Sequence, residues 1–255
     1  IFFIFYSIIV RVNLVMGQQT IFTLFFLSLP FIYKSRFTSI LSGICYFKYN
    51  IGYALFLFYL ISKEYKKLFL SSIPIFFGLI TYCFVTNSNL LENTTQPFEL
   101  MISKSGLGSN SGKIFLFSFI RDLLNFNEFF KYLIIGILTL IVNTFFIYRI
   151  SKLKNNLLIL SSLCLLILIS TPHWSHDNIL IIPLLIYSIK YYEVNTFLSR
   201  VNLVSSVYFL HLFRGVQIYF DKLLNKLSLK TEFFSSLYPY LDLSILLLIL
   251  ILNIF

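Results

Sequence analysis

Long apolar runs recur along the chain, separated by short clusters of lysine and arginine or by polar stretches. They cover 19–33, 37–47, 51–61, 68–85, 129–148, 157–170, 179–189 and 201–213, and predict a bundle of membrane helices. The stretch 37–61 reads two ways. As one helix of about 25 residues it is long enough to span, but Lys48 then sits near mid-bilayer, where an isolated lysine costs roughly 2.5–3.5 kcal/mol on insertion scales. As two short, inclined helices, it turns back at an apex that carries Lys48.

The charges between the runs favour the apex. If Lys34/Arg36 and Lys63, Lys66 and Lys67 lie on the same inner side, the chain must go out and return between them. Extended along the chain, the same rule places Arg149, Lys152, Lys154, Lys190 and Arg200 inside, against Glu64 and Glu193. Gln18, Lys48, the stretch 86–128 and His173 to Asp177 then share the non-cytoplasmic face.

Residues 86–128 form the expected long outer loop, rich in Asn, Ser, Thr and Gly and mixed in charge, with 114–124 readable as a short surface helix. Asn93-Thr94-Thr95 in it fits the glycosylation acceptor pattern, a weak three-residue match. Near the C-terminus, 216–229 puts Ile218, Tyr219, Leu223 and Leu227 on one face and Asp221, Lys222, Asn225 and Lys226 on another, the pattern of an interfacial amphipathic helix.

Composition agrees with this architecture. In a chain of 255 residues that is 58% hydrophobic and 12% charged, too little polar surface exists to cover a soluble globule. The formal charge of +10 punctuates apolar runs and forms no stripe, so it argues for membrane topology and against nucleic acid. Cys45, Cys83 and Cys164 have neither a CxxC partner nor metal-ligand spacing, so no disulfide and no metal is expected. The expected class is all-α: a single polytopic transmembrane bundle over 1–255. Both ends fall inside apolar runs, so a fragment is expected, truncated at the N-terminus and also at the C-terminus.

One stretch is unusually polar for its setting. Residues 171–178, TPHWSHDN, put Pro172, His173, Trp174, His176 and Asp177 between two apolar runs. Such a cluster belongs at a membrane–water boundary, where ionisable groups stay wet and meet a substrate. Bland readings stay open beside the functional one. Trp174 fits an interfacial anchor, His173 and His176 fit solvated loop residues, Lys48 fits a snorkelling side chain, Gln18 fits a helix start, and Asn110 is one of many loop asparagines.

Taken in order, Gly17-Gln18 opening a helix, Ser42-Gly43 leading along a short helix to Lys48, Asn110-Ser111 upstream of Arg121, and 171–176 resemble the family-87 glycosyltransferases of the GT-C superfamily, which include polyprenol-phosphate-mannose-dependent mannosyltransferases. The likeness covers about 17–189. It departs at Gln19-Thr20, where the family carries an aliphatic residue and Asn, at Tyr49-Asn50-Ile51, which lacks a nearby Pro, and at His173-Trp174, where the family has Ser-Trp.

The resemblance implies an inverting hexosyltransferase, with mannose the expected sugar. It would move the sugar from a polyprenyl-phosphate donor to a lipid-linked or envelope glycan, on the outward face of a bacterial plasma membrane. It assigns Lys48, His176, Gln18, Asn110, Asp177, Trp174 and His173 to donor phosphate and sugar, with Asp177 orienting a histidine or binding sugar hydroxyls. No cofactor is implied. The family's base lies upstream of the Gly-Gln motif, before residue 1, so this isolated chain is expected to be inactive. A transporter or flippase for lipid-linked sugars, or an envelope glycan polymerase or ligase, remains the alternative.

Overall fold

The computed structural model describes residues 19–89, 128–171, 175–194, 196–210 and 231–255. These are helical, with no strand among them. The helices are α1 Gln19–Ile32, α2 Arg36–Ser42, α3 Tyr49–Ile61, α4 Tyr65–Thr86, α5 Glu128–Ile150, α6 Asn156–Ser170, α7 Ile182–Lys190, α8 Thr196–Phe209 and α9 Thr231–Ile254. Two 3-10 segments interrupt the series, Gly43–Phe47 before α3 and Ser175–Ile181 before α7.

Helix α6 is the centre. Residues 159–170 are all buried, and α1, α3, α5, α7 and α9 pack around it. A helix apolar on every face has no preferred solvent side, so it is stable only when surrounded. Its start is pinned by Asn155, whose side chain accepts from the backbone N–H groups of Leu157 and Leu158 at 2.9 and 3.2 Å. Asn156 Nδ2 donates to the Phe31 carbonyl at 3.0 Å, which ties that start to the end of α1.

The bend expected at Lys48 is present, and glycines make it possible. Ser35 caps α2 in a capping box with Thr38, and α2 runs into the 3-10 turn that ends at Lys48. A Cβ on Gly43 would lie 1.8 Å from the Ser71 carbonyl oxygen, and one on Gly52 would lie 2.6 Å from Tyr46 Cα. Only hydrogen fits at either place, so the turn seats on α4 and folds back onto α3. Tyr46 and Ser71 add a hydroxyl–hydroxyl hydrogen bond of 2.8 Å across the first contact. Lys48 then caps α3, its carbonyl accepting from Ile51 and Gly52 N–H.

Helix α4 has the opposite character to α6. Ser71 is its one buried residue, while Phe69, Phe76, Phe77, Ile80, Phe84 and Val85 stand exposed. Helices Tyr65–Thr86 and Leu133–Ile150 are long and apolar enough to cross a membrane. The expected spans at 19–33, 51–61 and 157–170 form shorter apolar helices of 14, 13 and 15 residues. The run 179–189 also divides: its first residues belong to the 3-10 segment, and α7 begins only at Ile182, with Pro183 in its first turn.

At the C-terminal side, α8 and α9 are joined by a buried reciprocal amide pair, Asn202 to Asn253, at 2.9 and 3.0 Å. Helix α4 ends at Thr86 and α5 begins at Glu128, and the long loop expected between them lies mostly outside the described residues. The surface helix 114–124 and the amphipathic segment 216–229 lie outside the described residues.

Candidate functional site

Lys48 Nζ lies 2.7 Å from Asp177 Oδ1. The Thr20 hydroxyl donates to the same carboxylate oxygen at 2.5 Å and accepts from the Lys48 ammonium. The triad joins the first turn of α1, the bend between the 3-10 turn and α3, and the second 3-10 segment. The Asp177 side chain is 5% exposed and that of Lys48 18%, so the pair is almost out of water on one side and reachable on the other.

Local structure explains how each group arrives. Lys48 sits where the helix direction breaks, with φ −103° and ψ 83°, and the close glycine contacts hold that break in place. Asp177 lies on a seven-residue 3-10 segment, longer than such segments usually run. The next residue anchors it: buried Asn178 donates from Nδ2 to the Phe209 carbonyl at 3.3 Å, fastening the segment to the end of α8. Thr20 is fully buried, and Ile21 packs with Ile179 and Ile182 just below it.

Burial of Asp177 and partial burial of Lys48 carry a desolvation cost, which their attraction and hydrogen bonds offset. Thr20 supplies one of those bonds. An ammonium has three N–H donors; Asp177 and Thr20 take two, and no described residue takes the third. Among the described residues one directed donor is therefore left on a partly accessible lysine.

Of the residues expected at the site, the fold brings Lys48 and Asp177 together. The expected role of Asp177 needs revision: beside any histidine or sugar contact, it is the counter-ion of Lys48. Lys48 has a side-chain partner in Asp177. His176 lies on the same 3-10 segment, next to Asp177 in sequence, with its side chain outside the described residues. Gln18, Asn110, His173 and Trp174 also lie outside the described residues.

Thr20 was missed as a site residue. It stood out only as a departure from the family pattern, and that departure is the hydroxyl that bridges the ion pair. The signal for the pair itself was present in the sequence, since Lys48 and Asp177 are isolated opposite charges assigned to one end of the bundle.

Among the described residues no group of three or more His, Cys, Asp or Glu side chains is placed to hold a metal ion. Cys45 and Cys164 are buried and Cys83 is partly exposed. Compared with known proteins, the chain matches no family model, no curated protein and no solved structure.

Proposed function

We propose that this chain acts as a multi-pass membrane hexosyltransferase of the GT-C type. In this reading it moves a sugar, mannose by preference, from a polyprenyl-phosphate carrier to a lipid-linked or envelope glycan at the non-cytoplasmic face of a bacterial plasma membrane. The observation that carries the reading is the meeting of three stretches remote in sequence at one polar point, Thr20, Lys48 and Asp177, of which Lys48 belongs to the family-like pattern and Thr20 and Asp177 adjoin its other motifs.

The chemistry suits a lipid-phosphate leaving group. A polyprenyl-phosphate sugar is a diester with one negative charge, and cleavage at the anomeric carbon leaves a monoester whose charge approaches two. A lysine whose charge is balanced by Asp177 binds the diester weakly. It binds more strongly as charge grows on the departing oxygen, which lowers the barrier without trapping the ground state. In this proposal the third N–H of Lys48 meets a phosphate oxygen, His176 adds a second donor, and Asp177 keeps the ammonium aimed. The base that deprotonates the acceptor hydroxyl comes from another part of the protein.

The exposed apolar surface of α4, together with Tyr65–Thr86 and Leu133–Ile150 as candidate spans, supports the membrane setting. Transfer of labelled hexose from polyprenyl-phosphate hexose is the test, using membranes that carry the intact reading frame and its Lys48→Ala variant. Transfer by the parent and its loss in an inserted variant support the enzyme. Movement of the lipid-linked sugar across the bilayer with no transfer from any such donor rejects it in favour of the flippase.

A further inference from the structure

An open groove of about 930 Å³ runs between α1, α6 and α7, within the roughly 300–1,000 Å³ of small-molecule sites. Its walls are mostly apolar, interrupted by Ser28, Asn155 and Asn156, with Phe25, Ile32 and Ile186 still substantially exposed along them. Three lysines gather at one end, Lys34 after α1, Lys154 before α6 and Lys190 at the end of α7. All three are exposed, and none has an ion-pair partner among the described residues.

The far end of the groove reaches Ile21 and Ile182, next to the Thr20–Lys48–Asp177 site. From Ile21 to Ile32 the wall rises about 17 Å at ~1.5 Å per residue. A single leaflet contributes about half of the ~30 Å hydrocarbon core. The groove is thus about one leaflet deep, mostly apolar along its length and cationic at one mouth.

From this we propose that the groove is a binding site for an anionic phospholipid of the leaflet on the Lys34 side. The phosphate sits among Lys34, Lys154 and Lys190, and an acyl chain lies against α1 and α7. Charge complementarity commits the site to an anionic headgroup, since three exposed ammonium groups at the mouth of the slot, with no carboxylate paired to them among the described residues, repel a cation and gain little from a zwitterion. The inference rests on the membrane setting proposed above and not on glycosyl transfer. A lipid held there would brace α1, which carries Thr20, against α6 and α7.

The test is retention of phosphatidylglycerol against phosphatidylcholine on the detergent-extracted intact protein, read by native mass spectrometry after exchange into defined mixed micelles. The parent is expected to prefer phosphatidylglycerol. The Lys34→Gln/Lys154→Gln/Lys190→Gln variant is expected to lose that preference by a factor on the order of a hundred. Ile186→Trp, which fills the slot at an exposed position and leaves every lysine in place, is expected to lose the bound lipid as well. Equal retention of both lipids by the parent overturns the site. So does a preference that survives either variant, or preferential retention of a polyprenyl phosphate. A protein that washes off membranes in alkaline carbonate fails on the membrane setting instead, and the two failures are told apart.

Discussion

Lys48 and Asp177 are 129 positions apart in the chain and meet in a 2.7 Å ion pair at which two 3-10 segments and the start of α1 converge. Each charge offsets part of the other's desolvation cost.

Removing one partner therefore leaves the other without its counter-ion in the pair. Asp177→Leu or Lys48→Met, made singly, is expected to destabilise by about 3 kcal/mol, the lower end for buried pairs because Lys48 keeps some contact with solvent. Lys48→Met/Asp177→Leu together should return to within about 1 kcal/mol of the parent. Thermal unfolding in detergent, completed as a double-mutant cycle, measures this. Additive losses would mean the pair is not coupled. If the proposed transfer reaction is correct, the stable double variant has no activity, which separates folding from function.

Thr20 holds the pair from the side. Thr20→Val removes a hydroxyl that donates to Asp177 and accepts from Lys48, and is expected to cost about 1–2 kcal/mol. Thr20→Ser keeps the hydroxyl and should unfold within a few degrees of the parent. Similar losses in both would show that packing of the methyl group, not the hydrogen bonds, is what matters.

Gly43 should be the least replaceable glycine described. Its missing side chain lets the 3-10 turn touch the α4 backbone, so Gly43→Ala must push the two apart, at about 1–3 kcal/mol or more. Gly136 has open space where its Cβ would be. Gly136→Ala is expected to be neutral or to stabilise by about 0.5–1 kcal/mol. Fluorescence-detected size exclusion after heating ranks the two, and equal behaviour would refute the contact.

The amide pair between α8 and α9 predicts an order. Asn253 Nδ2 also donates to the Ile249 carbonyl at 2.7 Å, whereas Asn202 has only Asn253 as a side-chain partner among the bonds described. Asn253→Leu strands both polar atoms of Asn202, and Asn202→Leu strands only the Asn253 oxygen. The first should be the more destabilising, with differences of about 1 kcal/mol, and Asn202→Leu/Asn253→Leu should recover most of the loss. The reverse order in thermal unfolding would contradict this account.

Much of the architecture could be read from the chain before it was folded. Unbroken apolar runs predict helices because apolar side chains and backbone amides are satisfied together only in that form when water is scarce. The limits of α4, α5 and α6 fell within a few residues of the runs at 68–85, 129–148 and 157–170. The bend at Lys48 was legible too, because one lysine in an apolar stretch makes a straight helix costly.

Tertiary structure decided what the pattern is silent about. Which of two largely apolar helices is surrounded and which is exposed is not settled by a run of Leu, Ile and Phe; α6 is buried and α4 is not, because neighbours close around α6. The 3-10 segment 175–181 is fastened through Asn178 to the end of α8, a contact no local pattern announces. And Asp177 became a counter-ion, with Thr20 as its bridge, only when packing brought three remote segments within hydrogen-bond reach. The sequence by itself determined the helices and grouped the charges by end. Contact between distant segments decided which charge meets which, because an ion pair is set by distances in space that no local pattern encodes.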